Sequence, residues 1–307
     1  MQSVTKRVYA IDFSLAIVGY ILFVCMDTIA KDLVERYHVA QIIFVSGISA
    51  LLPVLLYTQA RNSWHKIGKA NYKVHFFRTL TMFLAMATFF YCSNYLPLTT
   101  LYSIIFTAPF LLTIGALIFL KEQVSWRRYT AIIIGFFGAV IAINPFGDGF
   151  DKIVFLAMLT PVFASASYLI VRKYGHQESI YSFLIYGKLL MILFSGIIAF
   201  KFFKPMTSID LFYNFNAGLL RGMAIIFVIN SARHLPSSIF ASAQYIQIVA
   251  GGILGYLVFK DIPGLNVYAG SLIIILSGLY IIFREAKLSV NIVSSTTRHP
   301  SIPLKKD

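Results

Sequence analysis

Charge and cysteine are scarce in this 307-residue chain: charged residues make up 12% and there are two cysteines, Cys25 and Cys92, both inside apolar runs. Two thiols in apolar surroundings exclude a disulfide framework. No HExxH, GxSxG or phosphate-binding glycine loop is present, and no Cys/His cluster has metal-ligand spacing. Those absences argue against a hydrolase, a nucleotide-driven pump and a resident metal or other cofactor. A continuous polar stretch long enough for a soluble domain is also missing. The net charge of +14 comes from basic residues spread over short connections, so no continuous patch suggests nucleic acid as a partner.

Apolar sequence fills the space left by these absences. Hydrophobic residues reach 58% and the mean hydropathy is +0.78. A helix needs about 20 apolar residues to cross a hydrocarbon core of about 30 Å. Segments of that kind recur ten times, at 13–30, 39–58, 74–94, 98–119, 129–144, 153–171, 180–200, 211–232, 237–259 and 265–283. The expectation is an all-α membrane protein of ten transmembrane helices, with the lipid bilayer as its solvent. The first run is followed by another span and lacks an Ala-x-Ala-like cleavage site, so it reads as a retained helix.

Ten crossings put both ends on one side. With both ends inside, seventeen Lys and Arg residues fall in cytoplasmic segments, six in the opposite loops, and three (Arg78, Lys188 and Arg221) within spans. The positive-inside bias therefore predicts cytoplasmic termini, including a tail at 284–307 that is solvated and weakly ordered from Ser289.

A repeat divides the chain. Leu96-Pro97 recurs as Leu235-Pro236 and Lys121-Glu122 as Lys260-Asp261; 236 − 97 and 260 − 121 are both 139. Two five-helix halves, 13–144 and 153–283, follow. Because five is odd, the second half sits inverted relative to the first. Inverted repeats of this kind characterise secondary transporters whose site lies near the midplane between halves.

A charge in mid-membrane costs about 2.5–3.5 kcal/mol on insertion scales and usually faces the bundle interior. Asp27, Arg78, Lys188 and Arg221 are thus the leading site candidates. Asp27 and Lys31, four apart, are spaced for a local ion pair at the outer end of helix 1. Arg78, one turn into helix 3, is near enough to the surface to snorkel, whereas Lys188 and Arg221 lie too deep to do so. Gln244 and Gln247 share a face of helix 9 that continues through Gly251 and Gly255. Tyr168 and Tyr245 are the candidate rings among the tyrosines in spans, suited to stacking on a flat or cationic ligand. Mixed charge suggests a zwitterionic metabolite: a carboxylate at Lys188, Arg221 or Arg78, and a cationic centre at Asp27.

Several motifs resemble the ten-helix EamA-type members of the drug/metabolite transporter superfamily. They are Arg78, the run Tyr95-Leu96-Pro97-Leu98-Thr99-Thr100, Pro109, Phe119-Leu120-Lys121-Glu122, Gly135, Gly138 and Asn144-Pro145. From His75-Phe76-Phe77-Arg78 to Asn144-Pro145 the chain looks most like the S-adenosylmethionine uptake branch. It departs from the wider pattern at Ser46, where many members carry Arg, and at Ser242, where many carry Pro. The resemblance implies an inner-membrane secondary transporter of a small organic metabolite, with S-adenosylmethionine uptake as the first substrate and export of amino acids or cationic drugs as the alternative. Channel and membrane-enzyme readings are remote, and a homodimer stays open.

Overall fold

The computed structural model describes residues 2–67, 71–121, 126–143, 152–174, 178–234 and 243–296. Within them the regular structure is helical and no strand occurs. The helices are α1 (Gln2–Val34), α2 (Val39–Ala60), α3 (Tyr72–Ser93), α4 (Leu98–Ile105), α5 (Ala108–Leu120), α6 (Trp126–Ile143), α7 (Lys152–Tyr174), α8 (Ile180–Phe202), α9 (Ser208–His234), α10 (Ile246–Leu254) and α11 (Leu265–Thr296). Among the described residues, seven stretches are long and apolar enough to cross a membrane, and three further apolar helices, Ile133–Ala142, Ile246–Phe259 and Leu265–Tyr280, are shorter. Large apolar side chains such as Leu56, Phe119, Phe200 and Leu265 are exposed on the outside. So broad an apolar surface fits lipid and not water.

Local chemistry sets the helix ends. The His38 ring accepts from the Ala40 N–H at the start of α2, Asn71 accepts from Val74 at the start of α3, and Ser179 accepts from Tyr181 at the start of α8. Pro97 precedes α4, where its missing N–H costs no helical bond. Two predicted spans are interrupted. The fourth breaks at Phe106-Thr107, because Pro109 cannot donate to the carbonyl four residues back. The ninth has a turn at Gln244-Tyr245, then α10, then a π-helical turn at Gly255–Phe259. Its stretch 237–242 lies outside the described residues. α11 runs on to Thr296, past the predicted onset of a weakly ordered tail at Ser289, since no glycine or proline interrupts the sequence there.

Small residues let the helices approach closely. α9 packs on α1 and α2, α3 on α7 and α8, α2 on α8, α6 on α11, and α10 on α1 and α4. A Cβ at Gly218 would strike Ser46 and Ser49 of α2, and one at Gly270 would strike the backbone of Gly138 and Ala142 in α6. Ser46 is buried in the first of these contacts, its hydroxyl donating to the Ile42 carbonyl at 2.7 Å.

The helix ends gather into two polar faces. On one, Lys31 pairs with Asp261, donates to the Leu96 carbonyl and lies over the Phe259 ring. Beside them Asp210 accepts from Tyr37 at 2.7 Å, Thr207 at 2.8 Å and Arg36 at 3.1 Å. On the other face Glu178 accepts from the Asn71 N–H and meets the His75 ring at 3.1 Å, while Tyr57 stacks on Tyr181.

Candidate functional site

The charged residues singled out in the sequence come from four helices: Asp27 from α1, Arg78 from α3, Lys188 from α8 and Arg221 from α9. Arg78 is the seventh residue of its helix, Lys188 the ninth and Arg221 the fourteenth. At 1.5 Å per residue all three lie well inside the helical layer. Lys188 is within electrostatic reach of both Arg221 and Arg78, and Arg221 of Asp27. Four intramembrane charges that are far apart in sequence thus form one cluster.

Asp27 is buried and accepts the Tyr102 hydroxyl at 2.7 Å. It does not pair with Lys31. The lysine turns instead to Asp261, whose position 230 residues later no local spacing could reveal. Tyr102 is itself nearly inaccessible, held between Phe89 at 6.0 Å and Gly251 of α10, where any Cβ would fall on the ring. The hydroxyl is thereby fixed on the carboxylate. This residue was legible only as one of several membrane tyrosines, because its partner and the glycine that admits it lie on other helices.

Arg78 donates through Nη1 to the Phe183 carbonyl at 3.3 Å and lies 5.5 Å over the Phe183 ring. Its Nε is buried without a partner. Gly187 makes the space: a Cβ there would come within 2.7 Å of Nη1. Lys188, the next residue, has no hydrogen-bond or ion-pair partner among the described residues. Tyr168 of α7 is 51% exposed although it is in electrostatic contact with Arg78 and with Tyr20 of α1. Arg78, Lys188 and Arg221 are likewise half-buried.

The remaining candidates sit apart from the charge cluster. Tyr245 stacks on Phe106 at 5.2 Å, and its hydroxyl occupies the space that a side chain at Gly278 would need. Gln244 and Gln247 are half-buried at the start of α10, their backbones joined at 3.1 Å. Gln244 belongs to the turn and Gln247 to the helix, so the shared helical face read from the sequence begins one residue inside α10. The Phe106–Tyr245 stack joins the two interrupted segments at their breaks, and 245 − 106 is again 139. A cavity of about 330 Å³ on the outer flank, lined by Tyr72, Lys73, His75, Phe76, Phe77, Tyr186 and Leu190, contains none of the charge cluster.

Comparison with known proteins gives this geometry a context. Residues 12–144 match the EamA-like transporter family. An S-adenosylmethionine uptake transporter of Rickettsia conorii is 25% identical, over 88% of this chain and 93% of its own. A riboflavin transporter of Vibrio cholerae is 26% identical, over 82% of this chain and 84% of its own. A solved crystal structure overlays on 90% of this chain and 98% of its own with a TM-score of 0.64 at 12% identity, a likeness of fold alone.

Proposed function

We propose that this chain, whose residues 12–144 belong to the EamA-like transporter family, is a secondary transporter in which two inverted five-helix halves, 13–144 and 153–283, rock about the charged cluster. The metabolite it carries bears a carboxylate. The observation that carries this reading is the convergence of Asp27 and Arg78 from the first half with Lys188 and Arg221 from the second, deep in apolar helices. Buried cations are retained where a ligand or water-filled path uses them.

Inversion is supported by the packing. Exchanging each helix with its counterpart in the other half turns the α1–α9 contact into α7–α3, α2–α9 into α8–α3, and α10–α1 into α5–α7, all of which occur. Lys121 and Lys260, 139 residues apart, both end their segments in left-handed backbone, at φ 54° and 58°. The Phe106–Tyr245 stack lies where an axis between the halves would pass. Interrupted helices at corresponding positions mark the site of such transporters. The two polar faces also support alternating crossings: residues 35–38, 94–97, 203–207 and 260–264 meet on one, residues 61–67, 71 and 178–179 on the other. With the basic-residue bias, we read the second as cytoplasmic, and the resemblance supports a cell inner membrane.

In this arrangement Arg78, Lys188 and Arg221 attract the carboxylate, Tyr168 offers a ring beside it, and Gln244 and Gln247 border the break in the ninth segment. Tyr245 holds that break against Phe106. Alternating access exchanges the face to which the cluster opens. The relatives' substrate supports a second, finer reading, S-adenosylmethionine uptake, with Asp27 toward a cationic centre. Uptake into proteoliposomes tests both. Saturable accumulation or exchange lost in Arg78→Gln supports a transporter; flux that rises linearly with concentration contradicts it. Failure of labelled S-adenosylmethionine alone to accumulate or exchange removes only the finer reading.

A further inference from the structure

The cavity of about 330 Å³ on the outer flank lies where α3 packs on α8. Both helices start at the same face, because Glu178, just before α8, accepts from the Asn71 N–H and meets the His75 ring at 3.1 Å. Tyr72 and Lys73 are the first two residues of α3, and Leu190 is the eleventh of α8. All three line the cavity, which therefore runs from the membrane surface to about 15 Å along the helices. Below Lys73 the walls are aromatic and aliphatic: Phe76 and Phe77, both exposed on the outside of the bundle, with Tyr186 and Leu190 from α8. Such walls suit hydrocarbon better than a water-soluble metabolite. They are also held in place. His75 packs on Phe183 at 4.9 Å and Tyr186 at 5.2 Å, Tyr186 meets Tyr72 edge-on at 5.7 Å, and Phe76 meets Phe194 at 5.4 Å. The mouth is positive. Lys73 is exposed and has no hydrogen-bond, ion-pair or ring partner among the described residues, whereas Arg61 and Lys66 of the same face lie over the rings of Tyr57 and Tyr181. Glu178, the acidic residue where α3 meets α8, is buried and engaged by His75 and Asn71.

We infer that this cavity is a binding site for an anionic phospholipid, with one acyl chain in the slot between α3 and α8 and the phosphodiester headgroup at Lys73. The inference needs only that the chain is embedded in a bilayer; it rests neither on the transporter reading nor on the charge cluster. A lysine at a helix end lays its stem along apolar surface and keeps its ammonium at the headgroup layer. Basic pockets between membrane helices recognise acidic headgroups in this way. Phosphatidylglycerol brings one net negative charge to a lysine that has no protein partner. Phosphatidylcholine brings in addition a choline cation, which Lys73 repels. Free phosphate has the charge but lacks the chain that fills the slot. The bound lipid spans the same two helices that the His75–Glu178 contact joins.

Native mass spectrometry of the purified full chain, released from detergent micelles supplied with equal amounts of phosphatidylglycerol and phosphatidylcholine, counts what stays bound. One phosphatidylglycerol should be retained roughly fivefold more often than phosphatidylcholine. Lys73→Gln should remove that preference and Lys73→Arg should keep it. Lys66→Gln changes a basic residue of the same face outside the cavity and should leave the preference intact. Leu190→Trp fills the slot and should release the lipid; should that variant fail to stay monodisperse, the exposed Lys73 and Lys66 positions still decide the question. In thermal unfolding at constant ionic strength, phosphatidylglycerol should stabilise the parent and not Lys73→Gln, while inorganic phosphate and glycerol 3-phosphate stabilise neither. Equal retention of the two lipids, a preference unchanged in Lys73→Gln, or a preference lost equally in Lys66→Gln would each overturn the inference. So would stabilisation by inorganic phosphate equal to that by lipid, or a monodisperse Leu190→Trp protein that retains phosphatidylglycerol as the parent does.

Discussion

Lys188 and Arg221 are both half-buried cations within the helical layer, yet their removal should have opposite effects on folding. Lys188 has no hydrogen-bond or ion-pair partner among the described residues and faces Arg221 and Arg78, two like charges. Lys188→Leu removes an insertion cost of about 2.5–3.5 kcal/mol and a repulsion, and loses only the packing of a lysine stem. The variant should fold as well as the parent or better, while transport falls at least a hundredfold. Arg221 instead faces Asp27. Arg221→Leu leaves the Asp27 carboxylate with the Tyr102 hydroxyl at 2.7 Å and no opposing charge. Stranding one member of a buried pair costs about 3–5 kcal/mol. Adding Asp27→Asn should restore most of that loss, since an amide oxygen still accepts from Tyr102. Thermal unfolding of the detergent-purified parent and three variants, with monodispersity on size exclusion, reads these differences. Lys188→Leu destabilised by more than about 2 kcal/mol, or Arg221→Leu left unrescued by Asp27→Asn, would refute this division of the charges.

Three further outcomes are expected. Gly187→Val should push the Arg78 guanidinium off the Phe183 carbonyl, costing about 1–3 kcal/mol of stability and most transport, with Gly187→Ala intermediate in both assays. Asp261→Asn releases Lys31 from its charged partner, leaving the Leu96 carbonyl and the Phe259 ring, and should favour opening of that face. Half-buried Cys25, two residues from Asp27, should then react about tenfold faster with an impermeant maleimide added outside, while buried Cys92 remains silent. In intact cells the same reagent should label Ile262→Cys and spare His65→Cys, both at exposed positions; the reverse pattern would invert the proposed orientation.

The helices were legible because lipid demands long apolar runs, and eight of the ten predicted spans match the described helices to within a few residues at most ends. The sequence carries a 139-residue offset in its Leu-Pro and Lys-acid pairs, and the left-handed backbone at Lys121 and Lys260 supports the repeat we propose. Asp27, Arg78, Lys188 and Arg221 stood out because charge is rare in apolar segments, and the fold brings them together. Asp27 with Lys31 was a misleading local pair, since four-residue spacing carries no information about Asp261 or Tyr102. Gly187 and Gly251 gave no advance signal either. Each matters through a side chain on another helix, Arg78 or Tyr102, and that proximity exists only once the chain is folded.

The central claim is that a metabolite crosses the membrane by way of the Arg78–Lys188–Arg221 cluster. Its most direct test is to incubate proteoliposomes containing the full chain in a cell metabolite extract and identify what enters by mass spectrometry, with Arg78→Gln and Lys188→Gln protein alongside. The account predicts that a small set of carboxylate-bearing metabolites enters with the parent chain, and that entry disappears in both variants although they insert and remain monodisperse. No enrichment over protein-free vesicles, or the same enrichment in parent and variants, would contradict it.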